Sequence, residues 1–190
     1  MKTNRIEAFS DGVMAVIVTL MVLELKVPQG GTSAALLTVM PSLLVYALSF
    51  AVVAIMWVNH HHFMEKARRA DAALLWSNNN LLFWMSLIPF VTAYLGQNCH
   101  APLAVAAYGA VMTCSSAAFL LLQTVLKRQD REDMVRQIEF QRLNWKAVFA
   151  MTCYAASVGL AFVSVNVSFA IFVIFPLLYF WPERKSAATE

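Results

Sequence analysis

Polar groups that could do chemistry lie inside three apolar stretches of this sequence. Asp11 opens the first stretch, the histidines His60 to His62 close the second, and the asparagines Asn78 to Asn80 begin the third. An ionisable side chain at the centre of a membrane costs about 2.5–3.5 kcal/mol and usually faces protein or a water-filled cavity. We therefore expect Asp11 to have polar partners within the protein.

Three kinds of chemistry fit these groups. A carboxylate, imidazoles and amides in one layer can satisfy one another's hydrogen-bonding groups, as a membrane interior requires. Imidazoles also bind transition metals and carry protons near neutral pH. Adjacent histidines on a helix are rotated by about 100° from one another and cannot all reach one ion, and no HExxH motif is present. The sequence favours structural hydrogen bonds, predicts no metal site, and leaves a proton-coupled role open.

The first apolar stretch also has a face without acidic residues. On a helical wheel, Arg5, Phe9 and Gly12 share this face with four further residues, whereas Glu7 and Asp11 point to the other side. The four further residues are Val16, Thr19, Leu20 and Leu23. This spacing is typical of a seam that packs against partner helices or surrounds a symmetry axis. The wheel alone does not distinguish packing from a pore.

The composition predicts a membrane protein. The 190 residues are 60% hydrophobic and 13% charged, whereas a soluble domain has about 25% charged residues. The three cysteines are odd in number and lack metal-binding spacing, which argues against a disulfide scaffold. We find no catalytic motif and no glycine-rich phosphate loop, so the sequence predicts neither an enzyme nor a cofactor. The basic loops are interleaved with acids, which argues against a nucleic-acid partner.

The apolar runs predict an all-α integral membrane protein, with six transmembrane helices in a single domain spanning 1–190. The expected helices are about 6–26, 41–64, 74–96, 102–126, 145–163 and 167–181, with a cytoplasmic helical extension or loop at 127–144 and a cytoplasmic tail at 182–190. With the N-terminus in the cytoplasm, only Lys26 of the 14 Lys and Arg residues falls on the opposite side. Because positive residues accumulate on the cytoplasmic side, this bias predicts that both termini are cytoplasmic.

The opening of the first helix resembles the signature of the transmembrane-protein-175 family of potassium channels. The matching residues are Arg5, Phe9, Ser10, Asp11 and Gly12. Further matches occur in helices 2 and 3, namely Trp57-x-x-His60-His61, Asn80-Leu81-Leu82 and Pro89-Phe90-x-Thr92. The resemblance covers essentially the whole chain.

The resemblance implies a passive cation leak channel that is modestly selective for potassium and lacks the TVGYG filter of ordinary potassium channels. It implies a homotetramer with helix 1 lining the central pore. The single-repeat length and the absence of a targeting peptide favour the plasma membrane of a prokaryote, where lipids surround the protein. The pore-constricting positions carry over to Val16, Thr19, Leu20 and Leu23. The signature residues and their helix 2 and helix 3 partners are then expected to form a supporting network that does not touch the ion.

One position departs from the family pattern. The narrowest position is commonly Ile or Leu in relatives, and here it is Val16. A shorter side chain predicts a slightly wider hydrophobic gate, weaker closure and weaker discrimination between potassium and sodium.

The alternative hypothesis is a proton- or ion-coupled secondary transporter that uses Asp11 and the helix 2 histidines as relay groups. The sequence has no clear internal repeat and few polar groups in helices 4 to 6. Both features favour the channel over the transporter.

Overall fold

The computed structural model describes residues 3–129 and 134–179, and this part of the chain is all-helical, without strands. The helices are α1 (Thr3–Leu23), α2 (Ser33–Met64), α3 (Ala72–Ser86), α4 (Ile88–Gln97), α5 (Pro102–Gln129), α6 (Met134–Leu160) and α7 (Val165–Tyr179). The all-α prediction is therefore confirmed. The predicted tail at 182–190, and 130–133 within the predicted extension, lie outside the described residues.

The prediction of one continuous third helix over 74–96 is wrong. It is divided into α3 and α4 at Leu87. Pro89 has no amide hydrogen to donate to the carbonyl one turn earlier, so the α-helical bonding is interrupted there. The Leu87 amide instead donates to the Trp84 carbonyl at 3.3 Å, and the Ser86 hydroxyl donates to the Phe83 carbonyl at 2.7 Å.

Several other bounds differ from the prediction. Helix α2 begins at Ser33 rather than near residue 41, because the Thr32 side chain caps it by accepting from the Ala35 amide. Helix α1 lies about three residues earlier than expected, and the predicted helix 145–163 is the second part of the longer α6. The hairpin between α6 and α7 is closed by the Ser164 amide, which donates to the Leu160 carbonyl at 2.7 Å.

Among the described residues, three helices are long and apolar enough to cross a membrane, namely α1, α2 and α5. The apolar parts of α6 and α7 are shorter, at Ala147–Leu160 and Val165–Ile174. Helices α3 and α4 are 15 and 10 residues long, so they reach spanning length only when taken together.

The core surrounds one side of α1, which packs against α2, α3 and α4. Helix α5 lies behind α3 and α4 and also packs against α6. A side chain at Gly109 of α5 would place its Cβ 2.6 Å from the Ser157 hydroxyl of α6. These contacts hold one face of α1 firmly and leave the opposite face uncovered.

Candidate functional site

Helix α1 has one buried and one exposed face. The buried residues recur at intervals of three and four, at Ile6, Ser10, Met14, Ile17 and Met21. On the opposite side lie Val16, Thr19, Leu20 and Leu23, hereafter the α1 stripe. Val16 is 54% exposed and Leu23 77% exposed. The α1 stripe therefore does not pack in the core of its own chain.

Thr19 is the polar member of the α1 stripe. Its hydroxyl donates to the Val16 carbonyl, three residues earlier in the same helix, at 2.9 Å. Because a hydroxyl oxygen also carries two lone pairs, Thr19 can still accept from water or coordinate a cation. The aliphatic members offer no such oxygen.

Asp11 has a partner on α2, as an ionisable group at this position requires. The Trp57 indole N–H donates to Asp11 Oδ1 at 2.9 Å. Asp11 therefore bonds the Trp57 indole rather than the histidines and amides with which the sequence predicts a common layer. This bond ties α1 to the last turns of α2.

Ser10 on the buried face connects α1 to α3 and α2. Asn78 Nδ2 donates to Ser10 Oγ at 2.9 Å, and Asn78 Oδ1 lies 2.8 Å from His60 Nε2. The Ser10 hydroxyl also reaches the Ile6 carbonyl at 2.8 Å. Since an amide oxygen only accepts, His60 must carry its proton on Nε2. All three side chains are buried.

A contact between an imidazole and a carboxylate lies one turn nearer the start of α1. His61 Nδ1 is 2.8 Å from Glu7 Oε1, and His61 Nε2 is 3.5 Å from Glu65 Oε1. The His61 ring also stacks on Trp57, with centroids 6.4 Å apart. Trp57, His60 and His61 share one face of α2 because positions i, i+3 and i+4 of a helix are neighbours.

The three consecutive histidines diverge, as the helical rotation predicts. His60 reaches Asn78, His61 reaches Glu7, and His62 Nδ1 bonds the Val58 carbonyl of its own helix at 2.7 Å. Within residues 3–129 and 134–179, no group of three His, Cys, Asp or Glu side chains could hold a metal.

Not every predicted residue joins this network. Arg5, Phe9 and Gly12 are exposed on the side of the α1 stripe, and a Cβ at Gly12 would meet open space. Asn80 is half-buried, and it is Asn78 that bonds α1 and α2. The buried line Leu74, Asn78, Leu81 and Met85 has helical spacing, and this periodicity could have identified Asn78.

A second buried polar cluster was not predicted. The Thr92 hydroxyl of α4 donates to Ser49 Oγ of α2 at 2.8 Å, and Ser49 Oγ lies 3.1 Å from the Tyr108 hydroxyl of α5. The motif Pro89-Phe90-x-Thr92 includes one member. Ser49 and Tyr108 carry no motif in the sequence, so their meeting depends on the fold.

The known proteins that this chain resembles are described as ion channels. A family profile described as endosomal/lysosomal potassium channel TMEM175 matches residues 5–89. A potassium channel of Chryseobacterium sp. is 35% identical over 185 residues, which cover 97% of this chain and 96% of that protein. The endosomal/lysosomal proton channel TMEM175 of Homo sapiens is 35% identical over 98 residues, covering 45% of this chain and 19% of that protein.

A solved structure matches nearly the whole chain. The crystal structure of a lysosomal potassium-selective channel TMEM175 homolog from Chamaesiphon minutus aligns with a TM-score of 0.83 and 32% identity. The alignment covers 93% of this chain and 95% of that one.

Proposed function

The chain belongs to the TMEM175 family, and from this membership we propose that it is a potassium channel and not an enzyme. In this proposal four copies surround a central pore lined by α1. Cations move passively, with modest preference for potassium over sodium. Potassium ions, membrane lipids and further copies of the chain are its partners.

The exposed α1 stripe is the observation that carries this proposal. A spanning helix whose apolar face is uncovered in the single chain must meet lipid, another copy or a pore. The buried face of α1 is fixed by Ser10 and its partners, so the α1 stripe has a defined direction. Four such faces around one axis form a narrow channel with aliphatic walls.

The constriction selects ions by dehydration in this proposal. Val16 supplies a ring of methyl groups that cannot replace the water around an ion. Potassium loses water at lower cost than sodium, so it passes more readily. Thr19, about one turn along α1, offers four hydroxyl oxygens to the ion or to its remaining water.

The supporting network sets the radius of the pore. Three bonds hold α1, namely Trp57 to Asp11, Asn78 to Ser10 and, about one turn away, His61 to Glu7. A small tilt of α1 would move Val16 toward or away from the axis. These residues act on conduction through position and do not touch the ion.

We place the channel in the plasma membrane of a prokaryotic cell, as a multi-pass protein with six crossings and cytoplasmic termini. Gln129 at the end of α5 donates to the Arg69 carbonyl at 3.2 Å. The basic last turn of α5 therefore lies beside the basic segment that follows α2. Lys26 lies at the far end of α1. This separation of charge supports the proposed orientation.

Planar-bilayer recording under a potassium/sodium gradient tests the function. We expect the purified wild-type protein to give a passive current whose reversal potential lies toward potassium. Val16→Asn, which wets the constriction, should raise conductance and lower selectivity. Val22→Asn is the matched control, because Val22 is 45% exposed on α1 but lies off the α1 stripe. Absence of current, or equal effects of both substitutions, would contradict the proposal.

Proton-coupled transport is the second candidate. It is favoured by the Glu7–His61 contact, in which a carboxylate and an imidazole lie within proton-transfer distance. A coupled transporter requires a second gradient and saturates, whereas a channel carries potassium current at equal pH on both sides. Potassium flux that appears only with a pH gradient would favour the transporter.

A further inference from the structure

A cavity of about 520 Å³ lies beside the end of α1, bounded by the first half of α2 and the end of α4. It is separate from the α1 stripe, since Met21 of the buried face lines it. Its walls include the apolar side chains of Leu36, Val39, Leu43 and Ala93. The volume falls within the range of about 300–1,000 Å³ that is typical of ligand sites.

Opposite charges lie at one end of this cavity. Glu24 and Lys26 both line it, just after α1 ends at Leu23. Lys26 Nζ donates to Gln97 Oε1 at 3.2 Å, which leaves two further N–H donors. Across the two described ranges, neither Glu24 nor Lys26 forms an ion pair. Within the described residues, the cavity therefore offers a ligand the Glu24 carboxylate and the two remaining N–H donors of Lys26.

Hydroxyl groups lie deeper in the same cavity. Ser42 is already used, because its hydroxyl donates to the Gly96 carbonyl at 2.9 Å. Tyr46 lines the cavity about one turn further along α2. Its hydroxyl has no hydrogen-bond partner in the described part of the chain and can donate to an acceptor inside the cavity.

The surroundings point to a lipid rather than a water-soluble ligand. Leu36 and Leu43 at the cavity, and Leu37 and Leu44 beside them, are exposed apolar side chains on α2. Exposed leucines of this kind are compatible with the hydrocarbon chains of a lipid. A ligand that enters between them needs a long apolar part and a headgroup with both charges.

We propose that this cavity binds one phosphatidylethanolamine molecule from the leaflet at which α1 ends. The ammonium group pairs with Glu24, the phosphate pairs with Lys26, and the Tyr46 hydroxyl donates to an ester carbonyl. One acyl chain lies along Leu36 and Leu43. Phosphatidylcholine has no N–H donor for Glu24, and phosphatidylglycerol has no cation. The proposal depends on membrane embedding and not on conduction.

Native mass spectrometry of the purified full-length protein tests this binding. The protein is exchanged into detergent with phosphatidylethanolamine, phosphatidylcholine or phosphatidylglycerol that share the same acyl chains. We expect one tightly retained phosphatidylethanolamine per chain, and weaker retention of the other two lipids. Equal retention of all three lipids, or retention of none because a neighbouring chain covers the cavity, would overturn the proposal.

Substitutions locate the bound lipid. Glu24→Gln and Lys26→Met should each reduce retention about tenfold, as expected when a charge-assisted hydrogen bond is lost. Glu65→Gln and Lys127→Met are matched controls at the other end of the helices and should change nothing. Leu36→Trp fills the cavity without altering charge and should abolish retention, which keeps the test valid if a charge variant folds poorly. Unchanged retention in Glu24→Gln or Leu36→Trp would contradict the proposed site.

Discussion

Val16 is the residue at which a single methylene is expected to change conduction. In the proposed pore, four isoleucines would narrow the aliphatic ring and disfavour its wetting. We predict that Val16→Ile lowers single-channel conductance about two- to fivefold and raises the preference for potassium. Planar-bilayer recording measures both quantities. Val22→Ile, off the α1 stripe, is the control, and unchanged conductance and ion ratio in Val16→Ile would count against a constriction at Val16.

Thr19 is predicted to contribute to selectivity through its oxygen. Thr19→Val keeps the shape of the side chain but removes the hydroxyl, so the potassium preference should fall while the current remains. The reversal potential under a potassium/sodium gradient measures this change. Thr124→Val is a suitable control, because Thr124 also donates to its own helix, at 2.8 Å to the Leu120 carbonyl. Equal shifts in both variants would show that Thr19 has no special role.

Asn78 is predicted to contribute more to stability than Asn79 and Asn80, the next two residues in the sequence. Asn78→Leu would leave His60 Nε2 buried without an acceptor, at a cost of about 1–3 kcal/mol. The thermal unfolding midpoint of the purified protein should fall clearly. Asn79 is exposed, so Asn79→Leu should have little effect. If Asn80→Leu lowered the unfolding midpoint more than Asn78→Leu does, Asn80 would be the asparagine of the supporting network, as the Asn80-Leu81-Leu82 motif predicts.

At the scale of elements, the apolar runs predict most of the helices but not their interruptions. Continuous hydropathy around Leu87 conceals the break, although Pro89 is its visible cause. The start of α2 depends on one cap at Thr32, which hydropathy does not register. Asp11 and His61 can be assigned to the supporting network from the sequence, because polar groups in apolar helices need partners. Which partner each takes depends on helix rotation, and Trp57 rather than a histidine reaches Asp11.

The packing of α5 on α6 gives a prediction about elements. Gly109→Ala would place its Cβ 2.6 Å from Ser157 Oγ, a hydroxyl that already donates to the Tyr154 carbonyl. The two helices must separate or Ser157 must lose its bond, so we expect a loss of about 1–3 kcal/mol in stability. Gly159 meets no atom within 4 Å, and Gly159→Ala should be neutral or stabilising. Equal unfolding midpoints for the two variants would argue against this close packing.

In the molecule as a whole, α1 is anchored on one side by α2, α3 and α4, and its aliphatic face is uncovered in the single chain. The wheel predicts this face, because Val16, Leu20 and Leu23 are separated by about one or two turns. Neither the wheel nor one chain determines what covers it. The fixed direction of the α1 stripe gives the proposed assembly around α1 a physical basis.

Substituted-cysteine block of the current tests most directly whether the α1 stripe lines the conduction path. Cys99, Cys114 and Cys153 would first be replaced by serine or alanine, and Val16→Cys or Val22→Cys would then be introduced. A charged, water-soluble thiol reagent reacts only where water reaches. We predict a rapid loss of potassium current in Val16→Cys and an unchanged current in Val22→Cys. Block at Val22 with none at Val16, or no block in either variant, would contradict a pore lined by α1.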